Sequence, residues 1–158
     1  MFDNLDLSGL FETEKEYAEG YSFGRLTDEM IKRAEQNIGY RLPKAYIDLL
    51  KIKNGGVIKN RDLWLRAIYG ISPAEKGWNS LELMFCHWIW EWEYPNIGIP
   101  FGETQSAGHD MYFMDFRRLN GSGEPKISLV DIETEEIRHI ADSFEEFIYD
   151  AINCGKQE

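Results

Sequence analysis

The stretch LTDEMIKRAEQNIGYRLPKAYIDLLKIKNGG, residues Leu26–Gly56, predicts two consecutive helices and determines the first layer of the fold. Thr27 can accept hydrogen bonds from the first free amide groups of one helix, and Gly39 ends that helix in a left-handed conformation. Pro43 predicts the first residue of the next helix, where its missing N–H costs nothing, and Asn54-Gly55-Gly56 predicts its end. Apolar residues recur at helical spacing in both segments: Met30, Ile31, Ala34 and Ile38, then Tyr46, Ile47, Leu49 and Leu50.

Beyond Gly56 the sequence changes to short apolar runs separated by turn residues, which is typical of an antiparallel sheet. Strands are predicted at Ile58, Leu63–Ile71, Ile97–Phe101, Asp110–Phe116, Lys126–Ile132 and Glu136–Ile140. Gly102–Gly108 is predicted to be a polar loop, and Asn120-Gly121-Ser122-Gly123 to be the turn of a hairpin. The last three strands therefore form a meander in which sequence neighbours pair.

Two further helices are predicted in the second half of the chain. The stretch Leu81–Trp92 suits either a helix or a buried strand, and its length and few β-branched residues favour the helix. Ser143 and Glu146 form a capping box before a final helix with the apolar face Phe144, Phe147, Ile148 and Ile152. The order of helices, strands and helix predicts an α+β fold, in which helices pack on one side of an antiparallel sheet.

The chain of 158 residues is long enough for one domain with a substantial core, and 43% of it is hydrophobic. Its sequence contains no repeat and no low-complexity linker that would divide it. We therefore predict a single domain, with residues 26–158 as its body and residues 1–25 as an N-terminal extension of the same domain. The extension also allows a short helix over Glu12–Glu19.

Acidic residues outnumber basic ones by 28 to 17, which gives a net charge of −11. A surface of this sign repels nucleic acids and anionic membranes, so we expect neither as a partner, whereas it attracts a basic protein. The same charge has a simpler interpretation, as a feature that keeps the domain in solution. The widely spaced Cys86 and Cys154, with no signal peptide and no apolar spanning segment, predict a cytoplasmic protein.

Three segments together resemble the SUKH superfamily, the SMI/KNR-like domains named partly for fungal regulators of cell-wall synthesis. The first segment is the helix pair itself, with Ile38-Gly39, Leu42-Pro43 and Asn54-Gly55-Gly56. The second is Ile99-Pro100-Phe101-Gly102, then Gly108-His109-Asp110 and a strand that reaches Asp115, and the third is Ile140-Ala141-Asp142-Ser143-Phe144. The resemblance runs from about Leu26 to Ile152, and His109 departs from a family pattern that often has paired glycines there.

The resemblance implies a curved, helix-covered antiparallel sheet without a catalytic centre. Bacterial members of the superfamily look like immunity proteins, which neutralise a cognate toxin, often a nuclease, by direct binding. Eukaryotic members look like regulatory or scaffold proteins. We therefore expect a non-catalytic protein-binding module, an immunity protein with a basic toxin domain as its partner, that is itself a monomer or a weak homodimer. A regulatory scaffold and, with less support, an enzyme remain the alternatives.

The sequence offers little for catalysis. Cys86 and His87 are adjacent and point apart on a helix or a strand, so a packing cysteine is favoured over a nucleophile. His109-Asp110 in a glycine-bounded turn and His139 on an acidic hairpin are better explained as surface residues than as acid–base groups. The sequence shows no zinc-site spacing and no phosphate-binding loop. We expect no catalytic residue, no metal and no cofactor, and a deep pocket holding His87 or His109 against a carboxylate would revive an enzyme.

The segment HWIWEWEY, residues 87–94, is the best candidate for partner binding. On a regular helix Trp88 and Trp92 share one face while Trp90 and Tyr94 share another, so one pair could be core and the other exposed. Alternatively, all four rings pack between helix and sheet. Exposed tryptophans beside carboxylates suit contact with a basic protein. The candidate binding residues are Trp90, Glu91, Trp92 and Glu93, with His109 and Asp110 from the glycine-bounded loop.

Overall fold

A computed structural model of the chain describes residues 2, 7–13, 20–74 and 77–156, with side chains as far as residue 154. Within these residues the helices are α1 (Asp28–Ile38), α2 (Lys44–Ile52), α3 (Leu81–Phe85) and α4 (Phe144–Lys156), and α3 continues into a π-helical turn (Cys86–Glu91). The strands are β1 (Gly56–Val57), β2 (Leu65–Ile68), β3 (Gly98–Thr104), β4 (Asp110–Leu119), β5 (Pro125–Asp131) and β6 (Ile137–Ala141). This part of the chain has no helix long and apolar enough to cross a bilayer.

The helix pair forms as its sequence predicts, with one correction. Thr27 Oγ1 accepts a hydrogen bond from the amide of Met30 at 3.2 Å, and Gly39 ends α1 with a φ of 86°. Pro43 does not begin the second helix, because its ψ of 146° keeps it extended and Lys44 is the first helical residue. The carbonyl of Pro43 still accepts the first helical hydrogen bond, from Ile47 at 3.1 Å, so the proline acts as the capping residue.

The six strands form one open antiparallel sheet in the order β1-β2-β3-β4-β5-β6, with helices before and after the strands in sequence, as the predicted α+β class requires. Each pairing from β2-β3 to β5-β6 contains a register shift, and bulged strands bend. The central β3 is buried along most of its length, and β4 is buried from Met111 to Asp115. Phe101 of β3 packs edge-on against Phe144 and Phe147 of α4, with ring centroids 5.3 and 5.5 Å apart. Residues of α1, α2 and α3 are buried in the same cluster, so the core lies where all four helices meet the sheet.

The predicted strand boundaries need several corrections. The polar loop predicted at Gly102–Gly108 is wrong in its first half, because β3 continues to Thr104 and the connection to β4 is only residues 105–109. Gly102 pairs with Ile68 on one side and with Tyr112 on the other, so two neighbouring strands hold it extended. The other strands are displaced or resized by a few residues, and Ile58 makes only an isolated bridge.

Both ends of the chain contribute to the same core. Phe2, Leu10 and Phe11 are buried in the main hydrophobic cluster, and Phe11 forms a bridge with Ile58. Of the helix predicted over Glu12–Glu19, Glu12 and Thr13 are not helical, and residues 14–19 lie outside the described residues.

At the other end of the chain, Ser143 and Glu146 cap α4 as predicted, with one difference from a regular capping box. The amide of Glu146 donates to Ser143 Oγ at 3.0 Å, and the amide of Asp142 donates to Glu146 Oε2 at 2.7 Å. Ser143 Oγ thus satisfies one amide of the first turn of α4, whereas Glu146 bonds the amide one residue before Ser143 and not that of Ser143 itself.

Candidate functional site

The aromatic segment lies on a helix, as predicted for Leu81–Trp92, but the helix changes type along its length. Ser80 Oγ accepts from the amide of Leu83 at 3.2 Å and starts α3. From Cys86 to Glu91 the backbone widens into a π-helical turn, which ends with the amide of Trp92 donating to His87 O at 3.0 Å. A π-turn places more residues in each turn than an α-helix, so it rotates the side chains that follow.

This rotation changes which aromatic rings are exposed. The predicted face pairs, Trp88 with Trp92 and Trp90 with Tyr94, do not divide into one buried and one exposed pair. Instead Trp88 and Tyr94 are buried, whereas Trp90 is 68% and Trp92 41% exposed. The helix ends at Glu91, Glu93 adopts a φ of 62°, and the chain turns so that the amide of Tyr94 donates to Trp88 O. Tyr94 therefore returns to the core, and the alternative in which all four rings are buried is also wrong.

The loop of residues 105–109 packs directly on this aromatic segment. Tyr94 donates its hydroxyl hydrogen to Gly108 O at 2.6 Å. A Cβ at Gly108 would lie 2.9 Å from Trp88 Cη2 and 3.3 Å from Trp92 Cη2, so only glycine lets the loop approach the rings this closely. The structure thus places Trp92 against the loop, and Glu91 lines a cleft together with Ala107 and Gly108 of that loop.

His109 and Asp110 have different surroundings. His109 Nδ1 lies 2.7 Å from Glu133 Oε1, and both side chains are more than half exposed. Asp110 accepts hydrogen bonds from Ser106 Oγ at 2.8 Å and from Trp64 Nε1 at 3.1 Å, so its carboxylate holds the loop and one indole in place. Asp110 therefore orders this surface, and His109 is the more accessible of the two.

Two exposed tryptophans that the sequence analysis did not single out belong to the same surface. Trp64, on the residue before β2, is joined to the loop through Asp110, and Trp78 lines a cleft together with Ala107 and Gly108. Trp64 follows Leu63 at the end of a bend and Trp78 follows Gly77, and a single tryptophan in or beside a turn gives no periodic signal. We call the exposed rings of Trp64, Trp78, Trp90 and Trp92, with residues 105–110, the tryptophan surface.

A cleft of about 770 Å³ opens between the loop, the aromatic helix and β2. Glu103 lies on its inner side, where Oε1 accepts from Tyr69 at 2.9 Å and Oε2 accepts from Tyr21 at 3.0 Å and from Arg66 at 2.8 Å. Trp88 Nε1 donates to the Tyr69 hydroxyl at 2.8 Å and extends this network.

The tyrosines of this network stay protonated. Burial first and Glu103 second raise the pKa of Tyr69 well above its ordinary value, and the same two causes raise the pKa of Tyr21. Both phenols therefore remain neutral donors to the carboxylate, and Glu103 is committed to internal bonds.

His87 and Glu91, which both line this cleft, are its candidate acid–base pair. His87 Nδ1 lies 3.0 Å from Glu91 Oε2, and the two side chains are 35% and 70% exposed. They are spaced i,i+4 on a helical turn, which is the usual geometry of a solvated surface pair rather than of an enclosed dyad. Among the described residues, no three His, Cys, Asp or Glu side chains come together as a metal site requires.

We expect Tyr94→Phe to lower the free energy of unfolding by about 1–3 kcal/mol, because it leaves the buried Gly108 carbonyl without its donor. Tyr40→Phe is the matched control, since the Tyr40 hydroxyl donates to Asn96 Oδ1 at an exposed position and water can replace it. The control should change stability by less than about 0.5 kcal/mol. Urea unfolding of both variants measures the difference, and equal losses would show that Tyr94 does not anchor the loop.

The open antiparallel sheet and its helices define a single α+β domain. The model of the SMI1/KNR4 family (SUKH-1) matches residues 25–150, and the chain belongs to this family. The membership predicted from three sequence segments is thereby confirmed. A comparison with curated proteins gave no match.

Proposed function

We propose that this protein is a non-catalytic binding module that neutralises a cognate toxin, a nuclease in many such pairs, by covering its active surface. The observation that carries the proposal is the tryptophan surface, where four large rings are exposed: three beside the loop and Trp90 on the aromatic helix. Exposed apolar patches of this kind mark interaction sites, and tryptophan is the residue most enriched among binding hot spots. Occlusion of a toxin needs contact area and anchors but no chemistry from the inhibitor.

The charge around the tryptophan surface favours a basic partner. Burial raises the pKa of Tyr94, and the negative charges of Asp110, Asp131 and Glu133 raise it further, so the field at this place is negative. The whole chain carries −11. Domains that act on nucleic acids present a positive surface to the phosphates, and an acidic inhibitor complements it.

The two cysteines are free, with Cys86 half-buried and Cys154 exposed, and this fits work in a reducing compartment such as the cytoplasm. A toxin produced in the same cell would encounter this protein in that compartment. We propose that the protein acts as a monomer against this partner. A homodimer would most readily cover the surface with the most exposed apolar rings, and that surface would then be unavailable to the toxin.

The partner should be sought among products of the genes beside this one, by capture on the immobilised protein. We expect one basic toxin domain, bound one to one and inhibited. For that complex Trp90→Ala should raise the dissociation rate about thirtyfold, which corresponds to about 2 kcal/mol. Glu93→Lys should instead lower the association rate at low salt, and the difference should shrink as salt rises.

Glu29→Lys on α1 is the matched control for Glu93→Lys, because it makes the same charge change on an exposed residue away from the tryptophan surface. If both reversals slow association equally, net charge and not this surface steers the encounter. Capture of several signalling proteins, with no toxin inhibited, would replace the immunity proposal with a regulatory scaffold.

A further inference from the structure

We propose that the cleft beside the tryptophan surface is a receptor for one arginine side chain, which the partner protein inserts between Trp78 and Glu91. This inference rests on the proposed function, since it names what the cleft of that same surface recognises. The cleft of about 770 Å³ falls in the size range of small-ligand sites, roughly 300–1,000 Å³, and has room for a long side chain.

The most exposed groups of the cleft are Trp78 and Glu91. Trp78 is 74% exposed, which makes its indole a face that a planar cation can cover. Glu91 is the exposed carboxylate of the lining, with 70% of its side chain in solvent. An aromatic face with a carboxylate on the same cleft is the combination that guanidinium groups favour, because arginine stacks and forms charge-assisted hydrogen bonds at once.

The charges that line the cleft select a cation over an anion. Arg66 is on the lining, but its Nη1 lies 2.8 Å from Glu103 Oε2, so these two charges compensate each other. Glu91, whose Oε2 lies 3.0 Å from His87 Nδ1, is the remaining formal charge of the lining when His87 is neutral. The negative field of Asp110, Asp131 and Glu133 reaches Tyr94, whose ring packs on Trp88 at 5.8 Å. A carboxylate from a partner would therefore be repelled.

Hydrogen bonding in the interior of the cleft supports binding at the mouth. The Glu103 oxygens already accept from Tyr21, Tyr69 and Arg66, so a guanidinium group would have to break existing bonds to reach them. The aliphatic part of the arginine can instead cover the apolar atoms of Leu83 and Met84, which also line the cleft.

The test uses N-acetyl-arginine amide as the probe and the indole N–H signals of Trp78 and Trp88 in the NMR spectrum of the whole chain. We expect saturable shifts of these signals with the arginine probe and not with N-acetyl-leucine amide. Trp78→Ala and Glu91→Gln should each weaken the binding by about fivefold. Trp90→Ala and Glu93→Gln make the same chemical changes at residues outside the lining and should leave the affinity for the probe unchanged.

Three results would overturn the proposal: no saturable shift, a leucine probe that binds as tightly, or equal losses in the two pairs of variants. The proposed function is tested separately, by the experiment that captures the partner. If Trp90→Ala weakens the complex while Trp78→Ala and Glu91→Gln do not, the cleft is not the receptor but the immunity function stands. If the arginine probe binds in the cleft and no toxin is captured, the cleft assignment survives and the immunity function fails.

Discussion

Gly55→Ala is expected to lower the free energy of unfolding by about 3 kcal/mol or more. Gly55 has a φ of 85°, a conformation that costs an L-residue with a side chain roughly 1–2 kcal/mol. A Cβ would also collide with the carbonyl oxygen of Tyr21 and would lie 2.6 Å from the amide nitrogen of Gly70. Both obstacles are backbone and cannot rotate away, so the turn must move, and overpacking of this kind adds roughly 1–3 kcal/mol.

Gly39→Ala is the matched control for this substitution. Gly39 has a φ of 86°, and no atom lies within 4 Å of a Cβ built there, so only the conformational cost of roughly 1–2 kcal/mol applies. Chemical denaturation of the two variants therefore separates the conformational cost from the packing cost. Equal losses would contradict the close approach of the Asn54-Gly55 turn to Tyr21 and Gly70. Loss of partner binding with unchanged stability would instead place this turn in the interface.

Arg33→Leu is expected to lower the free energy of unfolding by about 3 kcal/mol, because it leaves Glu82 buried without its counter-ion. Arg33 Nη2 lies 2.7 Å from Glu82 Oε1, and the carboxylate side chain is 1% exposed. The guanidinium also donates to the carbonyl of Ser72 at 2.6 Å and to that of Pro73 at 2.9 Å. Since Arg33 itself is 24% exposed, water reaches part of the pair, and we take the lower end of the range measured for buried pairs.

The double variant Arg33→Leu with Glu82→Leu should recover most of the loss, since no charge is then left buried. Lys44→Leu is the surface control: Lys44 pairs with Asp48 at 2.7 Å but is 70% exposed, and its loss should cost less than about 1 kcal/mol. Thermal unfolding of the four proteins measures these differences. A double variant no more stable than Arg33→Leu would show that the bonds to Ser72 and Pro73, rather than the ion pair, stabilise this region.

Local signals predicted the helices well. The Thr27 cap, the left-handed Gly39 and the Ser143–Glu146 box depend on atoms only three or four residues apart, so the sequence contains all the participants. The end of β3 was missed for the opposite reason. Glu103 looks like a loop residue, but Tyr69 and Tyr21, which are 34 and 82 residues away in sequence, accommodate its carboxylate inside the sheet.

The candidate site was predicted in part. The sequence indicated the aromatic segment and the loop with His109 and Asp110, and the structure places the two side by side through Gly108. It could not indicate which rings face solvent, because the π-turn and the positive φ of Glu93 rotate the chain out of a regular helical period. Whether these residues bind a partner stays a prediction, which the Trp90 and Glu93 variants test.

The sequence by itself determined the class of fold, the capped helices, the approximate order of strands, the family and the acidic charge. These features follow from local spacing, composition and a pattern that extends over most of the chain. The tertiary structure alone decided the cleft and the tryptophan surface. Trp64, Trp78 and Trp92 come from three separate segments, and pairing of β2 with β3 and packing of the aromatic helix on the loop bring them together. Exposure of a side chain depends on what the rest of the chain packs against it, and local spacing does not encode that.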